Sequence, residues 1–492
     1  MELQLSQFIV FLALTALIAA VTVWFCLKSK PSEDEEKDYF LAGGSLKWYF
    51  VAGSITLTNL STDQLVGMNG NQMALLAWWE LAAVFGLMML CFVFIPVYYK
   101  YQCTTTTELL EKRYNNKHIR ALISVLFLLG NIFIFLPAIL YGGSLFMQSM
   151  FGIDVNLYIL ALLFAVVGSA YAIFGGLRAV AVSDTFSGIL LLGLAITVTV
   201  IALKAIGFDF TGIPKERLTL IGKPDSDIPF ATLFTGMIFI QMFYWSTNQT
   251  ITQRAMASPS VKEAQKGIFA AAVIRLLIVP PIIVIPGIVA FKLYGDIGDA
   301  TYGRIVGDLL PSFLSGAFAA AIAAAVLTTF NSILNASAAL WVCDIHETYI
   351  NDKPNVKRLS LWVSISMVVL AFIMIPIFNN PEQSIINTVQ RLYGLLSMPI
   401  LAAFIVGLLF TNVEAKAVII SVIFGVAFYY WMLLPLAETE SLEAFAAQNI
   451  RLHYIHLMAI NLIAMVIMAL ILNRLVFKNK AKWDAHNVFG KA

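Results

Sequence analysis

Apolar residues gather along this chain into runs long enough to cross a bilayer. They fall near 7–27, 45–68, 74–99, 119–150, 155–174, 179–206, 230–252, 266–291, 313–343, 359–378, 384–411, 415–436 and 452–476. A helix of about 20 residues spans the hydrocarbon core. The pattern therefore predicts an all-α polytopic membrane protein of about thirteen transmembrane helices. An odd number of crossings puts the two ends of the array on opposite sides.

Two of these runs carry polar residues where hydrocarbon should be. Within 48–68 the middle reads Thr56, Thr58, Asn59, Ser61, Thr62, Asp63 and Gln64. Burying so many polar side chains is costly unless they face a cavity. The plainer reading is a polar packing face between helices. A carboxylate and two amides exceed what packing needs, so the stretch reads as an interrupted helix lining a transport site at mid-membrane. The run at 230–252 behaves alike, with Gln241, Tyr244, Trp245, Ser246, Thr247, Asn248 and Gln249. The second interruption comes five helices after the first. That spacing suggests a five-plus-five inverted-repeat core of the LeuT-like kind with two discontinuous helices. Residues 44–206 would form one repeat and 207–411 the other. Residues 1–43 would add an N-terminal helix and loop, and 412–492 the C-terminal helices and tail, all within a single membrane transport domain.

Composition agrees. Of 492 residues, 60% are hydrophobic and 12% charged, against about 25% charged in soluble domains. Nothing in a net charge of +2 points to nucleic acid. Cys26, Cys91, Cys103 and Cys343 form no CxxC pair, and the five histidines show no ligand spacing. No basic residue precedes the first apolar run, so it reads as a retained helix and not as a signal peptide. Of the 31 Lys and Arg residues, 22 fall in loops on one side, 7 on the other and 2 within spans. The positive-inside rule then places the N-terminus outside and the C-terminus in the cytoplasm. The acidic loop at 435–450, with Glu438, Glu440 and Glu443 but no Lys or Arg, would lie outside. So would the long connections 207–229 and 292–312, which are placed to cover an entrance.

Charges inside spans are rare and functional by default. Glu80, beside Trp78 and Trp79, is either a hydrogen-bond acceptor for solute or a charge near the interface. Asp184 either holds a cation or pairs with Arg178. Arg275 stands near mid-membrane and must meet a carboxylate, a cavity or a substrate. Arg391 can bond carbonyls or Gln390 and reads as structural. In the Ala-rich ninth run, Thr328 and Thr329 precede Asn331, Ser332 and Asn335. Small residues there explain close packing; five polar groups in eight residues suit a cation that needs five or six hard oxygen ligands.

These stretches carry a resemblance. D-Y-F-L-A-G-G-S-L-K-W (38–48), T-N-L-S-T-D-Q-L-V-G-M (58–68), Y-A-I-F-G-G-L-R-A-V (171–180), Y-W-S-T-N-Q-T-I-T-Q-R (244–254), S-V-K-E-A-Q-K-G-I (260–268), V-I-P-G-I-V-A-F (284–291) and F-N-S-I-L-N-A-S (330–337) occur in this order. Over roughly 5–435 the chain resembles the sodium:solute symporter family, in its sodium/sugar branch. The resemblance implies a principal sodium (Na+) site made by the carbonyls of Leu57, Leu60 and Ala325 and the hydroxyls of Thr328 and Thr329, where the family usually has serines. A second sodium set, present in some members, matches Asp184, Asn331 and Ser332, with asparagine at 331 a departure. Sugar contacts match Asn59, Gln64, Glu80, Gln241, Arg275 and Gln390. Met68 and Trp79 resemble the outer gate, and Tyr244 the inner lid with Trp245 beside it. The sodium/galactose carrier of this branch has asparagine where Gln241 stands, lysine where Arg275 stands, and serine and asparagine where Ala83 and Phe135 stand.

The implied activity is sodium-coupled uptake of a sugar or sugar derivative by alternating access, in a bacterial inner membrane. Arginine at 275 suits an acidic sugar, because it binds a carboxylate through two parallel hydrogen bonds. If Glu80 neutralises it, a neutral sugar fits equally. The chain shows no nucleophile with a base and no metal-ligand set, so it does not read as an enzyme. A non-sugar solute is one rival. Proton coupling through Asp63, Glu80 or Asp184 is the other, and the hydroxyl pair 328–329 speaks against it.

Overall fold

The structure is a computed structural model that describes residues 5–28, 34–60, 62–379, 384–433 and 452–484. The acidic loop at 435–450 and the side chain of Asp63 lie outside the described residues. Nearly everything described is helix, apart from a two-residue strand, Phe410–Thr411, paired antiparallel with Lys482–Trp483.

Among the described residues, ten helices are long and apolar enough to cross a membrane. The runs at 48–68 and 230–252 are not among them, because both are broken. The first is helical over Trp48–Asn59, leaves helical geometry at Leu60 (φ −78, ψ 70) and resumes over Thr62–Leu65. The second is helical over Gly236–Ser246 and again over Gln249–Met256. Asn248 sits in the break, extended at φ −67 and ψ 120, and its side chain accepts from the Thr250 N–H. Freed backbone groups must find partners at such depth. Tyr98 accordingly donates to the Ser246 carbonyl at 2.9 Å, and the Ser246 hydroxyl donates to the Gly86 carbonyl at 3.0 Å.

The runs expected at 155–174 and 179–206 are two helical segments within Leu157–Ala205, separated at Gly176, where the backbone is not helical (φ 53, ψ −164). The φ of +53 there is open to glycine without strain, and a Cβ would lie 2.7 Å from the Tyr39 carbonyl.

The Ala-rich helix Ser312–Trp341 forms the centre. It packs on Leu157–Ala205, on the N-terminal helix Leu5–Lys28 and on Trp48–Asn59. In its most apolar window 83% of residues are buried, against 6% for the N-terminal helix. The N-terminal helix therefore presents its apolar surface to lipid. Small side chains let the central helix approach its neighbours closely. Gly86 does the same for the helix Ala83–Met89: a Cβ there would meet the Gln241 carbonyl at 2.2 Å. One wide π-helical turn, Asn131–Phe135, interrupts the run from Lys117 to Phe151.

Candidate functional site

The two broken helices bound the larger of two adjoining cavities. Asn59, Gln64, Glu80, Gln241 and Gln390 line it, together with Met68, Trp79, Tyr244 and Trp245. Five of the six expected solute contacts and all four expected gate residues thus share one space. Arg275 stands directly behind them. Phe135, Ile240, Val389 and Tyr393 complete the wall.

The polar wall is an ordered network. Arg275 Nη2 lies 2.6 Å from Glu80 Oε2, and both side chains are buried. Gln64 joins the pair, donating to Glu80 Oε1 at 2.7 Å and accepting from Arg275 at 3.3 Å. Arg275 also donates to the Thr56 carbonyl at 3.1 Å, a backbone acceptor near the end of the first broken helix. Its guanidinium lies 4.6 Å from the centre of the Trp245 ring, an added cation–π attraction. Trp245 Nε1 donates to Gln241 Oε1 at 2.9 Å, and Gln241 Nε2 donates to the Trp79 carbonyl at 2.9 Å. The reading of Glu80 as a charge near the interface is thereby corrected: the residue is fully buried and ion-paired. A buried arginine demands such a partner.

On one side the cavity is shut, with Met68 fully buried and Trp79 4% exposed. Toward the half-helix Gln249–Met256 lies the second, smaller cavity. Asn59, Phe135 and Tyr244 line both, and Thr58, Thr329 and Ile333 line the second. Here the hydroxyl of Thr329 and the break of the first helix come together. Thr329 Oγ1 is buried without a hydrogen-bond partner among the described residues, as is Thr56 Oγ1. Thr328 donates to the Ala325 carbonyl at 3.3 Å. The end of Trp48–Asn59, where Leu57 and Leu60 lie, offers carbonyls that have no intrahelical donor. An unpartnered hydroxyl at Thr329 beside the break of the first helix offers hard oxygen of the kind that a cation such as sodium takes.

Asp184 is deeply buried and accepts from Ser54 at 2.5 Å and Thr58 at 3.2 Å. Its cationic neighbour is Arg254, at 3.7 Å. Arg178, the partner considered from sequence, instead pairs with Asp38 at 3.2 Å. Arg254 also donates to Ser54 at 2.7 Å and hydrogen-bonds Ser332 and the Thr250 carbonyl. Among the basic residues following the seventh run it reads as a loop charge, yet it is fully buried. The half-helix runs on to Met256 and carries Arg254 inward. Asn331, the third member of the second sodium set, is buried with no partner for its amide among the described residues. Sequence reasoning missed Arg254, Asn131 and Tyr393. A charged residue closing the polar run Thr250–Gln253 was the available signal for the first.

Residues 39–425 match the sodium:solute symporter family. The uncharacterized symporter YidK of Escherichia coli is 34% identical over 452 residues, covering 86% of this chain and 78% of its own. The sodium/glucose cotransporter of Vibrio parahaemolyticus is 30% identical over 475 residues, covering 88% and 86%. In architecture the chain is similar to a Na+-coupled sialic acid symporter in an outward-open state, with a TM-score of 0.79, 19% identity, and 98% and 99% of the two chains covered. The chain belongs to the sodium:solute symporter family. It is a multi-pass membrane protein with a LeuT-like fold, a symporter for which sodium is the coupling ion, and the proton-coupled alternative falls away.

Proposed function

We propose that the solute is a sugar or sugar derivative without net charge, taken up with sodium by alternating access. The observation that carries this reading is the self-neutralised network of Arg275, Glu80 and Gln64 behind the larger cavity. An arginine that already holds a carboxylate gains nothing from a second anion. Paired amide and carboxylate groups suit vicinal hydroxyls, and the faces of Trp79 and Tyr244 suit the apolar face of a ring. The similarity to a sodium/glucose cotransporter supports the same class.

Sodium binds at Leu57, Leu60, Ala325, Thr328 and Thr329 and fixes the break of the first helix. The solute then meets Asn59, Gln64, Glu80, Gln241 and Gln390, with Arg275 behind. Met68 and Trp79 close over it, and Tyr244 yields toward the cytoplasm. The energy suffices: one sodium crossing about 100 mV releases about 2.3 kcal/mol. A tenfold sodium gradient adds about 1.4 kcal/mol, so one ion supports roughly 500-fold accumulation. The repeats run 44–206 and 207–411, with the N-terminus outside and the C-terminus in the cytoplasm of a bacterial inner membrane, as the charge distribution supports.

The test is uptake into proteoliposomes under an inward sodium gradient, with labelled neutral and acidic sugars. Saturable, sodium-dependent uptake of a neutral sugar is expected. Uptake confined to acidic sugars, or to amino acids or inorganic anions, overturns the reading.

A further inference from the structure

The two cavities are separated by a thin aromatic partition. Phe135 and Tyr244 line both sides of it. Tyr393 lines only the larger cavity, and Asn248 only the smaller. Asn248 Nδ2 donates to the Tyr393 hydroxyl at 3.0 Å, so one hydrogen bond crosses the partition.

The two residues are built for that contact. Asn248 lies in the break of the second broken helix. Its Oδ1 caps Gln249–Met256 through the Thr250 N–H, which leaves Nδ2 for Tyr393. Tyr393 comes from the helix Ile385–Leu409 and is buried. Its ring sits edge-on to Phe135 with centroids 4.5 Å apart, 5.2 Å from Phe243 and 6.1 Å from Tyr244. Packing thus fixes the ring, and the hydrogen bond fixes the half-helix to it. A tyrosine hydroxyl at such depth needs a partner.

We infer that Tyr393 is a positioning residue, a latch that holds the half-helix Gln249–Met256 against Ile385–Leu409 and so keeps the Tyr244 lid shut. The path from the larger cavity toward Thr329 and Ile333 opens only when the half-helix moves and the Asn248–Tyr393 bond breaks. The inference rests on the reading of the larger cavity as the solute site, but not on which solute it takes.

Solvent access to the smaller cavity tests it without any solute. The substitution Ile333→Cys places a thiol there, and its alkylation by a small water-soluble maleimide is followed in purified protein. The chain without that substitution supplies the background, which comes from the half-buried Cys26, since Cys91, Cys103 and Cys343 are buried. Tyr393→Phe keeps the ring and removes the bond. Asn248→Ser keeps a good helix cap and removes the donor. Each is expected to speed alkylation about fivefold, the range for one neutral hydrogen bond. The double variant is expected to be no faster than either single one, with melting temperatures close to the parent. Unchanged rates in both single variants, or rates that multiply in the double variant, overturn the latch. Absence of sugar uptake by the parent chain, with the expected alkylation pattern in the variants, would count against the sugar reading alone.

Discussion

The guanidinium of Arg275 lies 2.6 Å from the carboxylate of Glu80, and solvent reaches neither. The two come from the separate helices Val261–Leu277 and Trp78–Leu81. Each therefore decides whether the other can stay charged. Removing one partner of a buried pair costs about 3–5 kcal/mol, while replacing both can be neutral. Glu80→Gln is expected to lower the melting temperature clearly. Combining it with Arg275→Met is expected to recover most of that loss while uptake stays abolished. Thermal unfolding and uptake of the three variants check this. Equal stability of the single and double variants would show that the pair is not the controlling contact.

Thr329 offers a buried hydroxyl with no partner among the described residues. Thr329→Val preserves shape and removes that oxygen, whereas Thr329→Ser preserves the oxygen. The valine variant is expected to raise the sodium concentration for half-maximal uptake by about tenfold, near the upper range for one lost polar contact. The serine variant is expected to stay close to the parent. Sodium titration of uptake decides, and identical curves for valine and threonine would remove this residue from the ion site.

Arg254 and Asp184 stand 3.7 Å apart with no solvent contact. Arg254→Gln leaves the Asp184 carboxylate with hydroxyl partners alone, and a marked loss of stability is expected. Adding Asp184→Asn removes the stranded charge and should restore much of the melting temperature. If the double variant melts no higher than Arg254→Gln, the arginine stabilises through Ser54 and Ser332 and not through charge.

Asp299 gives a pH signature outside the spans. Its carboxylate accepts from the Ile385 N–H at 2.9 Å, at the start of Ile385–Leu409, and lies against Gly70. Burial pushes its pKa up to about 7. Unfolded, an aspartate titrates near 3.9. Between about pH 4 and 7 the folded chain thus holds a proton that the unfolded chain has released, so this group's contribution to stability falls as pH rises through that window. Asp299→Asn keeps an acceptor for Ile385 and should flatten that component. Melting curves from pH 4.5 to 7.5 measure it, and an identical slope in both proteins would refute it.

Both interruptions were legible in the sequence, because amides and a carboxylate in apolar runs have no cheaper explanation. Glu80 and Arg275 stood out for the same reason: an isolated charge is conspicuous against hydrocarbon-seeking neighbours. Arg254 was hidden because Thr250, Thr252 and Gln253 precede it, and a charge after polar residues looks like the start of a loop. Its burial depends on how far the half-helix continues, which is a tertiary outcome. Tyr393 was hidden for the opposite reason. An aromatic residue in an apolar helix reads as packing, and only the facing Asn248 gives its hydroxyl a role.

The wide turn at Asn131–Phe135 has a consequence for how this pocket can diversify. A π-helical turn inserts one extra residue into an otherwise regular helix. Deleting a single codon there would rewind the turn into regular α-helix and change the phase of the side chains within it, while the helix on either side keeps its register. Phe135 would leave the partition and a neighbour would take its place, with no other residue replaced. Solute range in this scaffold is thus open to change by phase as well as by substitution, and comparisons that ignore one-residue gaps at this turn would misjudge which side chains face the solute.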